Sequence, residues 1–391
     1  MLLRKAFRYR LDPTAAQCEL FRKTAGCVRF VWNWALTQRT SLWAAPRDLP
    51  GEERRVHRLS AIDQINHLPA LKHQFPFLAD VPSHCLQHVV RDLEQAFARF
   101  LSGACRHPRL RRKDERVSFR FPDPKQLLIG DRTVFLPKAG TTRYRHSRPI
   151  TGRVKQATVS WDGFHWFVSV LTEQESLPSP QPSGSPVGID LGIAQSVTCS
   201  NGRVIQFPVP TAADLAKCAR LQRRCSRRVK GSHRREKARL DLLRFRRHLI
   251  NRRNDTMHKT STTLAQNHGL VVIEDLSLLN MTASAAGTAT QPGTNVRAKA
   301  GLNRSLLAQA MGEFRRQLPY KTAWYGSRLV VVPPHHTSQR CAACGHVATE
   351  NRPSQAVFRC VACGHSAHAD HNAALNILAV GMTVSAQGAV A

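Results

Sequence analysis

The sequence has few acidic residues and no long apolar run. Asp and Glu total 26 against 58 Lys and Arg in 391 residues, which gives a formal net charge of +32 and a pI near 11.0. This balance favours a polyanionic partner, nucleic acid first, over a small metabolite. Anionic membrane is the competing polyanion, but no apolar run approaches the roughly 20 residues that span a bilayer, so we expect no membrane partner.

Most of the cysteines lack the spacing of a disulfide framework, and the N-terminus does not resemble a secretory signal. The total of 11 is odd. This usage predicts a reducing, cytosolic environment. The scattered cysteines are Cys18, Cys27, Cys85, Cys105, Cys199, Cys218 and Cys225.

The other four cysteines form two C-x-x-C pairs separated by fifteen residues. Each pair can direct two thiolates at one tetrahedral ion, and the spacer has the length of a short hairpin that returns to it. The pattern predicts one structural Zn²⁺, with a disulfide pair as the alternative. The predicted ligands are Cys341, Cys344, Cys360 and Cys363.

The N-terminal part of the chain combines strand-like and helix-like patterns. Residues 1–12 and 113–173 show the alternation of half-buried strands. Residues 13–112 are helical, and apolar residues recur at three- and four-residue spacing in 83–101. The N-terminal strand is expected to pair with the later strands, so a helical insert would interrupt a small β-barrel. A Pro- and Ser-rich linker at 174–186 ends this part.

Two apolar segments end in acidic residues. Asp190 lies in the run VGIDLGI, where an unpaired charge would be costly and needs a partner such as a metal ion; a turn aspartate before Gly192 is the alternative. Glu274 and Asp275 end the run GLVVIED, and strand alternation directs them to opposite faces. We choose Glu274 as the ligand and Asp275 as a cap for the next element.

A third acid, Asp370, follows the second C-x-x-C pair by seven residues, in the run HADHNAALNIL. It stands at the start of a predicted helix. Three carboxylates far apart in sequence, each at the mouth of an apolar segment, could converge to bind a divalent metal.

Residues 212–268 form a helical region dense in Lys and Arg with few acids, which Gly231 and Ser232 divide into two helices. Solvated helices normally mix both signs at i and i+4, so we predict direct contact with phosphates. Residues 281–300 show no pattern and are expected to form a mobile loop. The candidate nucleic-acid contacts are Arg223, Arg224, Arg227, Arg228, Lys230, Arg234 and Arg235.

These segments, in this order, resemble the TnpB family, the RNA-guided DNA endonucleases carried by bacterial insertion sequences and similar to type V CRISPR effectors. The runs GIDLGI, VVIEDLS, TSQRCAACG and DHNAALNIL resemble the RuvC-type nuclease motifs of that family. The resemblance extends over nearly the whole chain, from FRYRLDPTAAQ and CVRFVWNWAL to LPYKTAWYGSRLVVV.

The resemblance implies an α+β multidomain fold. An N-terminal, wedge-like β-barrel with an inserted helical bundle for recognition would precede an RNase H-like (RuvC) α/β domain. The nuclease domain would cover residues 187–335 and 366–380 and would contain a zinc ribbon at 336–365. A disordered tail would follow at 381–391.

The resemblance also implies the catalytic residues. Asp190, Glu274 and Asp370 match the three acids of the family and would hold two Mg²⁺ ions, with Asp190 as the bridge. One ion would activate water and the other would stabilise the leaving oxygen. The family often has a further acid where this chain has His368, a difference that could alter metal affinity or pH response.

The family's partners are a guide RNA and a double-stranded DNA target. The guide, transcribed from the end of the element, selects the target by base pairing beside a short motif that the protein reads. We expect a monomeric protein in a cytoplasmic, nucleoid-associated ribonucleoprotein.

Three other functions fit parts of the sequence. A strand-transfer transposase can use an acidic D-E-D set on an RNase H-like fold. A guide-directed repressor would bind without cutting, which the complete acidic set argues against. A zinc-ribbon RNA-binding protein without enzymatic activity would leave the buried Asp190 and Glu274 without a role.

Overall fold

The chain folds as two compact units, residues 1–176 and 177–391. The division falls inside the predicted linker 174–186, of which residues 176–180 lie outside the described part of the chain. The computed structural model describes four stretches of the sequence: 2–43, 59–113, 117–175 and 181–387.

The first unit is built on a seven-stranded antiparallel sheet with the order β2-β6-β7-β1-β5-β4-β3. The strands are β1 (Leu2–Asp12), β2 (Ser118–Phe121), β3 (Leu128–Ile129), β4 (Thr133–Leu136), β5 (Gly140–Tyr144), β6 (Arg153–Trp161) and β7 (Trp166–Glu175). As expected, the N-terminal strand pairs with later strands, because β1 lies between β7 and β5.

The predicted β-barrel is not closed by backbone hydrogen bonds in the stretches described. The sheet ends at β2 on one side and at the two-residue β3 on the other, and no pairing joins these two edges. Alternation along a strand predicts which side chains are buried. It does not predict closure, because closure depends on strand tilt and stagger, which local alternation does not specify.

Four α-helices lie between β1 and β2 in the described residues. They are α1 (Ala15–Trp43), α2 (Ala61–Asn66), α3 (Leu68–Gln74) and α4 (Ser83–Leu101). The apolar stripe predicted for α4 is confirmed, because Leu86, Val90 and Leu93 are fully buried. These helices and the sheet share one core, in which Phe21 of α1 packs edge-on against Trp166 of β7 at a ring distance of 5.2 Å.

The second unit contains a five-stranded mixed sheet with the order β10-β9-β8-β11-β12. The strands are β8 (Val187–Asp190), β9 (Val197–Cys199), β10 (Val204–Ile205), β11 (Leu270–Glu274) and β12 (Arg328–Val332). Strands β8, β11 and β12 are parallel, whereas β8 to β10 form an antiparallel meander. A tight turn at Asn201 and Gly202 joins β9 and β10, and Gly202 has φ of 81° there.

Helices surround this sheet. They are α5 (Ala212–Ser226), α6 (His233–Asn267), α7 (Leu278–Met281), α8 (Val296–Gln309), α9 (Met311–Tyr325) and α10 (Ala369–Gln387). The predicted division of the cationic region is confirmed, because Ser232 caps α6 and its hydroxyl accepts from the Arg235 amide. The range predicted for the loop, 281–300, extends too far, because α8 begins at Val296. None of the helices in the described stretches is both long and apolar enough to cross a membrane.

The segment between β12 and α10 carries the four clustered cysteines. Strands β13 (Val357–Arg359) and β14 (Ser366–His368) pair antiparallel, so the insert predicted at 336–365 continues to His368. The disordered tail predicted at 381–391 is wrong as far as Gln387, where α10 ends. Residues 388–391 lie outside the described part.

Gly381 looks like a helix stop in the sequence, but a Cβ there would lie 2.4 Å from Val272, so the glycine permits close helix–sheet packing.

Candidate functional site

Two parallel strands bring Asp190 and Glu274 to the same edge of the sheet. Ile189 of β8 is in register with Ile273 of β11, and each acid is the next residue along its strand. Neighbouring parallel strands direct side chains at the same level to the same face. The two carboxylates therefore stand side by side at the carboxyl ends of their strands.

The third acid reaches this edge because α10 packs directly on β8. A Cβ at Gly188 would lie 2.3 Å from the carbonyl oxygen of Ala374, so only glycine allows this approach. Asp370 lies in the first turn of α10. A Cβ at Gly192 would lie 3.8 Å from Asp370 Oδ2, which shows that the loop after Asp190 meets this carboxylate.

The three acids interact electrostatically. Burial, together with the negative charges of Glu274 and Asp370, raises the pKa of Asp190 to about 7, although the Arg352 guanidinium opposes the increase. Burial also raises the pKa of Glu274, and a hydrogen bond from the Thr337 hydroxyl opposes that increase. The site thus concentrates more negative charge than its protein neighbours neutralise.

Two residues that the sequence reasoning missed contact the acids. Thr337 donates a hydrogen bond from its hydroxyl to Glu274 Oε1. Arg352 Nη2 lies 3.6 Å from Asp370 Oδ1, and its side chain is 29% exposed, so the guanidinium is accessible beside the site. Both residues precede Asp370 on the segment that carries the cysteines.

The reason given for choosing Glu274 over Asp275 is partly wrong. Asp275 does not cap the next helix, since α7 has Ser277 at its N-cap and no side-chain cap hydrogen bond. Its side chain is instead 71% exposed and accepts a hydrogen bond of 2.7 Å from Arg315 Nη2. The alternation itself is supported, because Glu274 is buried and interacts with Asp190.

The carboxylate set fits an oxygen-preferring divalent cation by its chemistry. Buried acids that repel one another are costly unless a counter-charge compensates them, and the raised pKa of Asp190 reflects that cost. The side-chain oxygens of the three acids do not all lie within 4.8 Å of one another. Over the described residues, the four-cysteine group alone has all its ligand atoms within 4.8 Å of one another.

The cysteine group fits a tetrahedral Zn²⁺. Zinc–sulfur bonds of about 2.3 Å imply sulfur–sulfur separations of about 3.8 Å. Cys341 Sγ lies 3.7 Å from Cys363 Sγ, and Cys344 Sγ lies 3.6 Å from Cys360 Sγ. All four are free thiols, so the disulfide alternative is wrong.

Buried asparagines join the cysteine segment to the helix that carries Asp370. Asn372 and Asn376 of α10 donate to the Arg340 carbonyl at 2.8 and 2.7 Å, and Asn376 also donates to the Thr337 carbonyl at 2.9 Å. The spacing of two asparagines four residues apart in an apolar helix is the sequence signal for this contact. It fixes Thr337 and Cys341 relative to α10.

A second asparagine contact joins the two cysteine pairs to each other. Asn351 is fully buried and donates to the carbonyls of Gln339 and His346 at 2.9 and 3.2 Å. Its Oδ1 accepts from the Val361 amide at 2.9 Å. Because Arg352 is the next residue, the fold of the cysteine segment sets the position of this guanidinium beside Asp370.

The predicted nucleic-acid contacts gather at one end of the α5–α6 hairpin. Arg223 and Arg224 lie in the last turn of α5, and Arg234 and Arg235 lie in the first turn of α6. The connection between the helices carries Arg227, Arg228 and Lys230. All seven residues are exposed except Arg235, which is half-buried, and Arg224 also forms an ion pair with Asp241.

Family models match three parts of the chain. They are described as "Probable transposase" for residues 168–285, "Cas12f1-like, TNB domain" for 312–377 and "Helix-turn-helix domain" for 1–48. In the described residues of the last range, the chain forms β1 and the single long helix α1 rather than two helices and a turn.

Similar proteins cover nearly the whole chain. "Putative RNA-guided DNA endonuclease InsQ" of Escherichia coli K12 is 43% identical, over 98% of this chain and 94% of the relative. "Putative RNA-guided DNA endonuclease" of Streptomyces pristinaespiralis is 34% identical, over 99% and 91%. A solved Cas12f1–sgRNA–target DNA complex aligns over 96% of this chain and 98% of that chain, with 12% identity and a TM-score of 0.48.

Proposed function

Since this chain belongs to the TnpB family of insertion-sequence proteins, we propose that it is an RNA-guided, metal-dependent endonuclease that cuts double-stranded DNA. The observation that carries the proposal is the meeting of Asp190, Glu274 and Asp370 at one sheet edge in a chain of net charge +32. Relatives named RNA-guided DNA endonucleases match from end to end and support the guide and the target.

Asp190, Glu274 and Asp370 would hold the two Mg²⁺ ions. Bound Mg²⁺ supplies the charge that favours attack of water on a phosphodiester and departure of the leaving oxygen. The protein contributes the orientation of its ligands: the Thr337 hydroxyl holds Glu274, and α10 holds Asp370 against the loop after β8. Arg352 offers a cation beside the acids that can pair with a phosphate oxygen of the strand to be cut.

The cations of the α5–α6 hairpin would bind the backbone of the guide RNA. Arg234 and Arg235 lie in the first turn of α6, where the helix dipole disfavours positive charge, so they do not serve helix stability. A polyanion at this end would make their positions favourable. We infer that the protein acts as a monomer in a cytoplasmic ribonucleoprotein, with Zn²⁺ held by the four cysteines as a structural ion.

The proposal is tested by purifying the protein after co-expression with the adjoining end of its insertion sequence and sequencing the RNA that co-purifies. A plasmid library carrying the matching target beside randomised bases is then incubated with the complex and Mg²⁺. We expect Mg²⁺-dependent double-strand cuts that disappear after RNase treatment. Cutting that survives RNase, or joined rather than hydrolysed ends, would contradict the proposal and favour a transposase.

A further inference from the structure

The first unit contains a cavity of about 610 Å³ between α1, α4 and β2. Its lining is strongly cationic, and Asp92 is the one acid among the lining residues that the structure describes. A metabolite pocket normally presents few charges on an apolar wall, whereas this lining suits a polyanion. The cationic lining residues are Arg22, Arg29, Arg111, Arg112, Lys113 and Arg120.

A glycine faces this cavity from the middle of a helix. Gly26 lies within the 29-residue α1, on the same face as Arg22 and Arg29 at i−4 and i+3. No other part of the described chain comes within 4 Å of the position that a Cβ would occupy. Glycine in a helix interior is less favourable than alanine by about 1 kcal/mol, and packing inside the protein does not account for it here. Glycine at such a position is typical where a ligand approaches the backbone closely.

The cavity is also lined by an arginine whose guanidinium is only partly paired. Arg120 Nε is shielded from solvent and has no hydrogen-bond partner among the residues described. Arg120 Nη1 lies 3.6 Å from Asp92, so one part of the guanidinium is paired while Nε is not. The Arg120 side chain is 36% exposed and lines the cavity, so its accessible guanidinium N–H groups can donate to a phosphate oxygen there.

The segment that carries Arg111 is held against α1 before any ligand binds. The Trp32 indole N–H donates to the Arg109 carbonyl at 3.0 Å, and Asn33 both donates to and accepts from the backbone of Arg111, at 3.1 and 2.8 Å. The Arg111 guanidinium lies 3.6 Å from the centre of the Trp32 ring. A preorganised wall lowers the entropic cost of binding.

We propose that this cavity binds one sugar–phosphate unit of a nucleic-acid backbone, with the sugar against Gly26 and the phosphate between Arg22, Arg29 and Arg120. The inference rests on the proposed function and extends it, because it assigns a backbone-binding site to residues outside the cationic hairpin. RNA and DNA share this chemistry, and separate probes distinguish them.

The first test is Gly26→Ala, with Gly301→Ala as the matched control. Gly301 also lies inside a helix, α8, with open space around its Cβ position. Both changes should raise the Tm by about 2–4 °C, because alanine favours the helix. Gly26→Ala alone should weaken binding by about tenfold, because the added methyl group occupies the position of the sugar. Fluorescence anisotropy with a labelled single-stranded RNA, a DNA duplex and an RNA–DNA hybrid measures the affinity and identifies the backbone concerned.

The second test is Arg22→Gln, with Lys23→Gln as its control. Both residues are exposed neighbours on α1, but Lys23 is not part of the described lining and pairs with Glu19. Arg22→Gln should lower the slope of log affinity against log salt by about one, and Lys23→Gln should lower it less.

The inference is overturned if Gly26→Ala lowers the Tm, or if it leaves the affinity for all three probes unchanged. Equal effects of Arg22→Gln and Lys23→Gln would also overturn it. If the unmodified protein binds and cuts its guided target while these variants do so equally well, the inference fails and the proposed function stands. If the unmodified protein binds no nucleic acid, the proposed function itself fails.

Discussion

The two candidate metal sites of the second unit, the cysteine group and the acidic group, differ in how closely their ligand atoms are already held together. In the cysteine group all ligand atoms lie within 4.8 Å of one another, with pairs at 3.6 and 3.7 Å. The acidic group is wider, and the pKa of Asp190 is raised to about 7 by burial and by its acidic neighbours. One site is preformed, whereas the other carries uncompensated charge.

This difference matches the roles that we assign to the two sites. A structural ion stabilises a fixed geometry, so its ligands are close in sequence and held by backbone hydrogen bonds. A catalytic site is held in an electrostatically unfavourable state that metal and substrate relieve. The asparagine contacts to Arg340 and Thr337 connect the two sites, so the acidic site should depend on the zinc site but not the reverse.

The largest effect is expected from loss of a zinc ligand. Cys344→Ser should reduce bound zinc well below one ion per chain and abolish guided cutting, because structural zinc contributes about 10–16 kcal/mol to folding in small domains. Cys105→Ser changes another exposed cysteine outside the group and should retain both zinc and activity. Elemental analysis and plasmid cleavage measure the two outcomes. Full activity of zinc-depleted Cys344→Ser would contradict the claim that the acidic site depends on the zinc site.

The next effect is a pH dependence of stability in the absence of Mg²⁺. Asp190 has a folded pKa of about 7 against 3.8 for an ordinary aspartate, so the folded state binds its proton more tightly. The free energy of unfolding should therefore fall as pH rises from about 4 to about 7, by at most about 4 kcal/mol. Asp190→Asn should remove the part of this fall that Asp190 causes and leave the part due to the raised pKa of Glu274, and Mg²⁺ should reduce the fall in the unmodified protein.

Denaturant unfolding at several pH values, with zinc retained, measures this dependence. Asp255→Asn, a change at an exposed aspartate paired with Lys259, serves as the control. Parallel curves for the unmodified protein and Asp190→Asn would show that the acidic site carries no uncompensated charge.

A smaller effect on the rate of cutting is expected from changing Arg352, whose guanidinium lies beside the acids. Arg352→Gln should slow cutting by about 10- to 100-fold, because a charge-assisted contact contributes about 1.5–3 kcal/mol. It should also shift the pH profile of cutting to higher pH, because Arg352 lowers the pKa of Asp190 and its loss raises that pKa. Arg352→Lys should recover part of the rate.

Arg359 is an exposed arginine on β13 of the same insert and provides the matched control. Arg359→Gln should retain the rate and the pH profile. If the two glutamine variants behave alike, Arg352 has no specific part in the reaction.

The smallest effect is expected in the cationic hairpin. Arg227→Gln and Arg228→Gln should each lower the slope of log affinity for RNA against log salt by about one, because each removes one phosphate contact. Lys259→Gln changes a cation further along α6 that pairs with Asp255, and it should alter the slope less. Filter binding at several salt concentrations distinguishes these results, and equal slopes for all three variants would argue against a localised RNA contact.

Features encoded by local spacing could be predicted from the sequence. The two C-x-x-C pairs specify four thiols around one point, and the stripe through Leu86 and Leu93 specifies the buried face of α4. Alternation in GLVVIED also separates Glu274 from its exposed neighbour Asp275. In each case a few adjacent residues carry the whole signal.

Features that depend on distant contacts could not be predicted. Arg352 belongs to no motif, and Thr337 begins the run TSQRCAACG without a local signal for its role; they meet the acids only because the cysteine segment folds back onto α10. Gly381 suggests the end of a helix, yet it lies within α10 and permits close contact with Val272 of β11. Closure of the first sheet likewise depends on the pairing of edges far apart in the chain.

The most direct test of the central claim compares Glu274→Gln with Asp275→Asn. These neighbouring acids end the same strand, but only Glu274 is buried and interacts with Asp190. Guided cleavage of a matched plasmid in Mg²⁺ should fall by about 10⁴-fold for Glu274→Gln, with zinc content unchanged, and should stay near normal for Asp275→Asn. Retained cutting by Glu274→Gln, or equal loss in both variants, would contradict an active site formed by the three distant carboxylates.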